Sequence, residues 1–238
     1  MRKRHPNDVI DSFQVAAQAS LQEWSAVSRS VVDQPVSLRR GVSKDAFFRL
    51  AVRWEVFRSD WHIAAAARDA TQLRSTIAAA VDKALSGRSD LVESRQYIDV
   101  AIPAHPTLEQ TRRLLDPAGR NISLSASSSG RNLWIQKSEA HLVTPWVDKV
   151  RGLPLADHKV AEVIEHLRNV IAHESRSSLE ALNAVLAAVT GAEQETFGAK
   201  PLRTSAAVST YLHTSSAGSA RVGHFHNRMA QIADRMRL

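Results

Sequence analysis

Residues 167 to 175 read LRNVIAHES. Arg168, Asn169 and His173 stand there in a segment otherwise patterned like a buried helix, where apolar side chains would pack at lower cost. Arginine and histidine without a metal suit one reaction well, the cleavage of RNA by its own 2′-hydroxyl. A histidine that titrates near neutrality takes the 2′-OH proton or donates to the leaving oxygen, and a permanently charged guanidinium stabilises the charge that builds on the phosphate. Asn169 can orient either group or hold a phosphate oxygen. The product would be a 2′,3′-cyclic phosphate. The same residues also fit a purely structural account, since an arginine near a helix C-terminus interacts with the last carbonyls and a histidine there is a common capping residue.

The spacing constrains the chemistry. Five positions separate Arg168 from His173, so on a straight helix they point about 140° apart. They converge if the helix ends at His173, or if two copies of the helix meet across a two-fold axis and pool their residues. The tetrad SSLE, Ser177 to Glu180, has the form of a capping box and predicts a new helix near Ser178, which makes the preceding one stop just after His173. That preceding helix is expected to start from an Asp157 N-cap and to bury Val160, Val163, Ile164, Leu167, Val170 and Ile171.

Further elements must frame these two helices. Phe13, Ala17, Leu21, Trp24, Val27 and Val31 recur every three or four positions and predict a helix over 11–32, closed by Pro35. Ser43 reads as the N-cap of a second helix whose stripe is Phe47, Leu50, Ala51, Trp54, Phe57 and Trp61, the expected centre of the core. The alanine-rich run from Ile63 continues to Gly87, with a bend near Asp69 to Thr71. Thr107 caps a short helix, LEQTRRLL, that Pro117 and Gly119 end. NISLSAS alternates like a short strand near 121–125, and SSSGRN reads as a loop. A helix is expected over 133–150 with Pro145 at a kink or a start. Gly191 ends a helix faced by Leu182, Val185, Leu186 and Val189, and the last helix, about 219–237, carries Val222, Phe225, Met229, Ile232 and Met236. No repeat or composition shift divides the chain, so the expectation is one all-α domain over 1–238, with a motif-bearing core at about 43–190 and an irregular insertion at 87–130.

Composition narrows the function classes. Over 238 residues there is no cysteine, which rules out disulfides and thiolate metal sites. The basic start MRKRHPNDVIDSF lacks the apolar run of a secretory signal, and no apolar window approaches the roughly 20 residues of a membrane span. A cytoplasmic protein without a membrane partner is therefore expected. A net charge of +7, carried largely by arginine, suits a polyanionic partner such as RNA. His224 and His226, or Glu162 with His166, could ligate a metal, but no HExxH or matching acidic cluster accompanies them, so no metal or cofactor is expected and the scattered histidines, His62 and His158 included, are read as solvent-exposed. Of the five tryptophans, those on helix stripes are read as core residues rather than base-stacking platforms.

LRNVIAHES resembles the signature of HEPN domains, in which arginine, a polar residue, three or so others and histidine mark a metal-independent ribonuclease on a helical bundle that dimerises to form the site. FFRLAVRWEVFRSDW resembles the core helix of the RiboL-PSP-HEPN-like group, with its WE pair, and PTLEQTRRLLDPAGRNISL resembles that group's middle segment. Together they cover most of 45–190, in the same order. The resemblance implies a homodimeric HEPN-type endoribonuclease, with Arg168 and His173 as the catalytic pair, Asn169 as the polar residue and Glu55 in support of the site or the dimer. It further implies a place in a toxin–antitoxin or phage-defence system, with a cognate antitoxin or defence protein as partner. Some HEPN toxins carry a modifiable tyrosine two places after the histidine; Ser175 stands there in this chain, which argues against regulation by that route. The alternative is a HEPN-like module that binds RNA, nucleotide or protein without cleaving.

Overall fold

The computed structural model describes residues 4–86, 102–126, 132–191, 193–216 and 218–238. The Gly87 stop, most of the Ser86 to Pro106 loop and most of the SSSGRN loop lie outside the described residues. The rest is all-α: α1 (Pro6–Ser30), α2 (Val36–Arg68), α3 (Thr71–Ser86), α4 (Leu108–Leu115), α5 (Leu133–His141), α6 (Thr144–Arg151), α7 (Leu155–His173), α8 (Arg176–Ala188), α9 (Glu193–Phe197), α10 (Ala207–His213) and α11 (Arg221–Arg235). Its β structure among the described residues is one antiparallel pair, β1 (Ser215–Ser216) with β2 (Ser219–Ala220), turned at Gly218, whose φ of 81° suits a residue without Cβ.

The 33-residue α2 is the axis of the fold and packs against α1, α4, α7, α10 and α11. Its aromatic stripe is the centre of the core as the spacing predicts: Phe47, Leu50, Trp54 and Trp61 are completely buried, and Ala51 and Phe57 nearly so. Each such large side chain contributes about 1.5–3 kcal/mol by leaving water. Trp134 and Trp146 are buried with them, while Trp24 is only partly covered. The stripe of α11 is fully buried, and that of α7 is buried except for a partly covered Ile171.

Several expected boundaries move. Helix α2 begins at Val36, with Pro35 at its N-cap, so Ser43 is not a cap but an interior residue. Its hydroxyl donates back to the Arg39 carbonyl and meets His213 Nδ1 at 3.2 Å. Pro35 therefore opens one helix rather than closing the previous one, which ends at Ser30. Asp157 likewise lies inside α7, whose N-cap is Pro154. With its side chain wholly buried, Asp157 pairs with Arg228 at 2.9 Å and with Arg235, tying α7 to α11. The break at Asp69 is where it was expected, its carboxylate accepting from the Thr71 amide. The 133–150 helix is two, α5 and α6, with Pro145 in the first turn of the second.

Residues 121–126 form no ladder; the short sheet lies at 215–220 instead. Side chains take the backbone bonds of this segment. The Asn121 amide donates to Asp116, Ile122 to Ser59 Oγ and Ala126 to Glu165, while the Leu124 carbonyl accepts from Arg58 Nη1. A stretch so anchored satisfies its polar groups without a strand partner.

The histidines correct another expectation. His62 and His226 are buried outright and His158 nearly so. His62 Nε2 lies 3.1 Å from His141 Nδ1, and His226 bonds the Val222 carbonyl and Ser20. Neutral imidazole can donate and accept at once, which lets His226 replace an apolar residue; His62 bonds through Nε2 alone, its Nδ1 being buried without a partner.

Candidate functional site

The segment at issue closes α7. Glu174 takes a left-handed conformation, φ 48° and ψ 24°, and its amide reaches back to the Val170 carbonyl at 2.9 Å. Ser175 then caps α8, its hydroxyl accepting from the Ser178 amide at 3.2 Å. Helix α7 thus ends at His173, as the following capping residues require, and α8 starts two residues earlier than the SSLE pattern indicates.

Arg168 and Asn169 sit half-buried on the face of α7 that meets α2. Arg168 Nη1 donates to Asn169 Oδ1 at 3.1 Å, and Arg168 Nε faces Glu55 Oε1 at 3.4 Å, an ion pair without hydrogen-bond alignment. The three residues are therefore brought together from helices more than a hundred positions apart. Burial pushes the Glu55 carboxyl above the usual carboxylate range; Arg168 and Arg58 pull it back down, and Glu165 raises it further.

His173 is not part of that cluster. It is exposed, and by helix geometry it sits about 7.5 Å further along the axis and about 140° around it from Arg168. Within one chain the arginine and the histidine do not share a face.

A polar cavity of about 360 Å³ opens beside the cluster, between Glu55 and Arg58 of α2, Glu165 and Asn169 of α7, and the anchored segment 120–125. Arg58 forms its floor. Its side chain is 4 % exposed and is held by Glu165 at 2.5 Å and by the Leu124 carbonyl at 2.8 Å, between the rings of Trp54 and Trp134 at 5.5 and 5.3 Å. Glu165 also accepts from Ser125 Oγ at 3.0 Å.

Arg58 and Glu165 do not stand out by sequence reasoning, because each occupies a helix otherwise read by its apolar stripe. A signal for them does exist. Glu55 and Arg58 are three apart on α2, Glu165 and Arg168 three apart on α7, and the two pairs cross so that each acid meets the other helix's arginine.

Compared with models of protein families, with curated proteins and with solved structures, the chain matches none.

Proposed function

We propose that this chain is a HEPN-type, metal-independent endoribonuclease that acts as a homodimer. The observation that carries the reading is Arg168 bonded to Asn169, which lines a polar cavity, on a helix that ends in an exposed histidine. In this reading the Arg168 guanidinium, oriented by the Asn169 carbonyl oxygen, holds the scissile phosphate. The 2′-oxygen attacks phosphorus, the P–O2′ bond forms and the P–O5′ bond breaks. His173 takes the 2′-OH proton and water protonates the departing O5′, the resulting hydroxide being neutralised by the proton His173 gives back, which leaves a 2′,3′-cyclic phosphate and a free 5′-hydroxyl. Because Arg168 and His173 diverge on one helix, the working site pairs Arg168 of one protomer with His173 of its partner across a two-fold axis. Arrest of growth within a toxin–antitoxin or phage-defence system, held in check by a cognate protein, is the matching biological role, with the cytoplasm as its location.

Complementation tests this arrangement. Arg168→Ala and His173→Ala variants, each inactive alone, regain cleavage when mixed and allowed to exchange subunits, since the mixed dimer rebuilds one complete site. Two variants that stay inactive together, while forming mixed dimers, would count against a shared site. One observation favours a second reading, a module that binds RNA or a nucleotide without cutting: His173 does not line the cavity. Under that reading RNA binding survives His173→Ala and no cleavage is seen with either protein.

A further inference from the structure

The cavity beside Arg168 contains donors and acceptors that the phosphate chemistry does not use. Glu55 presents two oxygens, of which Oε1 faces Arg168 and Oε2 has no hydrogen-bond partner among the described residues. Asn169 uses its carbonyl oxygen on Arg168, which has only donors to offer, so its amino group is left to donate elsewhere. Both residues line the cavity, with Ile122 and Leu124 as apolar wall. Glu165 is saturated by Arg58, Ser125 and the Ala126 amide, and Arg58 spends both terminal nitrogens on Glu165 and the Leu124 carbonyl, its Nε lying buried without a partner. Among the lining side chains of α2 and α7 the unspent set is therefore a carboxylate acceptor and an amide donor, in a space at the small end of ligand pockets, which run from about 300 Å³ upward.

We propose that this cavity binds a guanine base of the RNA, Glu55 accepting from its N1–H and N2–H groups and the Asn169 amide donating to its O6; the inference rests on the ribonuclease reading only for its link to cleavage. Guanine alone among the four bases presents two adjacent N–H donors beside a carbonyl. Adenine and cytosine set a lone ring nitrogen acceptor against the carboxylate, and uracil offers one donor between two acceptors. The anchored segment 120–125 gives the pocket a fixed wall. From Arg120 to Ala126 its backbone is held at six points by Asp116, Ser59, Arg58, Glu165 and the Trp134 amide, Asp116 accepting twice. Preorganisation of this kind is what base discrimination needs.

The test is equilibrium binding of guanosine 3′-monophosphate to the full chain, against its adenosine, cytidine and uridine counterparts. Binding of the guanosine compound at least tenfold tighter than the others is expected. Glu55→Gln, checked for folding by circular dichroism, is expected to lose that preference at least tenfold, because an amide cannot accept both N–H groups. Ser123→Trp, which fills the mouth from an exposed position, is expected to abolish binding of all four. Absent or base-indifferent binding, or a guanine preference that survives Glu55→Gln, overturns the proposal. Mapping of cut sites separates it from the reading beneath it. Cleavage without regard to guanine defeats the pocket and leaves the ribonuclease, whereas guanine binding that needs Glu55 without any cleavage defeats the ribonuclease and leaves the pocket.

Discussion

Glu165 on α7 holds Arg58 on α2 at 2.5 Å, with the arginine 4 % and the glutamate 12 % exposed. The pair joins the two helices that carry every residue of the candidate cluster, and it supports the floor of the cavity between them. A buried arginine stripped of its acid is left charged in a low-dielectric setting, and a single deletion of this kind costs about 3–5 kcal/mol. Glu165→Ala is therefore expected to lower the urea midpoint by an amount equal to about 3 kcal/mol or more, whereas the double variant Arg58→Met, Glu165→Leu recovers much of the loss. A Glu165→Ala cost below about 1 kcal/mol would show that solvent reaches the pair.

The stripes on α2, α7 and α11 were legible because large apolar residues at helical spacing have few places to go but the core. Helix starts were less so. The run Val36 to Lys44 carries exposed Val36 and Leu38 and no stripe of its own, so nothing local distinguishes it from a linker. It is helical because α10 packs on it and His213 meets Ser43. Asp157 looked like a cap because its partners, Arg228 and Arg235, lie some seventy positions on. At the site, Arg168, Asn169 and Glu55 could be named one by one. The crossing that brings Glu55 to Arg168 depends on how α2 and α7 pack, which no local pattern encodes.

The buried histidine pair contributes to the loss of stability in acid, as do His158 and His226, which burial also lowers. Burial, together with His141 and Lys137, lowers His62 from 6.5 to about 3, and burial and Lys137 lower His141 to about 4. Both pKa values fall on folding, so the contribution is complete above pH 6.5 and is lost as the pH drops, because the unfolded chain takes up protons that the native chain refuses. Each group adds a slope of about 1.4 kcal/mol per pH unit below 6.5 until its native pKa is reached. Denaturant unfolding at pH 7.5 and pH 5 is expected to show a clear loss at the lower pH, and His141→Gln is expected to reduce the difference. Equal stability at both values would mean that the pair is protonated in the native state.

Ser175 starts α8. Its loss removes a hydrogen bond to the Ser178 amide, a change that costs about 1 kcal/mol at a helix N-cap. Ser175→Ala is expected to lower stability by that much and Ser175→Asp to keep most of it, both read from thermal unfolding. An unchanged midpoint for the alanine variant would show that the cap contributes nothing.

The tight link between α7 and α8 makes a further prediction for Glu174. A left-handed conformation at a non-glycine residue is strained, so Glu174→Gly, at a φ of 48°, should be neutral or slightly stabilising, while Glu174→Val should cost more than 1 kcal/mol or so. Thermal unfolding of the two variants reads this directly. A valine variant as stable as the parent would mean that α7 does not end at His173.

In the proposed function Arg168 and His173 cut RNA without a metal. The direct measurement is incubation of the parent chain, Arg168→Ala and His173→Ala with labelled single-stranded and structured RNA in excess EDTA, after circular dichroism has shown that both variants fold. Cleavage by the parent alone is expected, with 2′,3′-cyclic phosphate and 5′-hydroxyl ends, and a loss of at least about a hundredfold in each variant. No cleavage by any of the three, or equal cleavage by all, would contradict it.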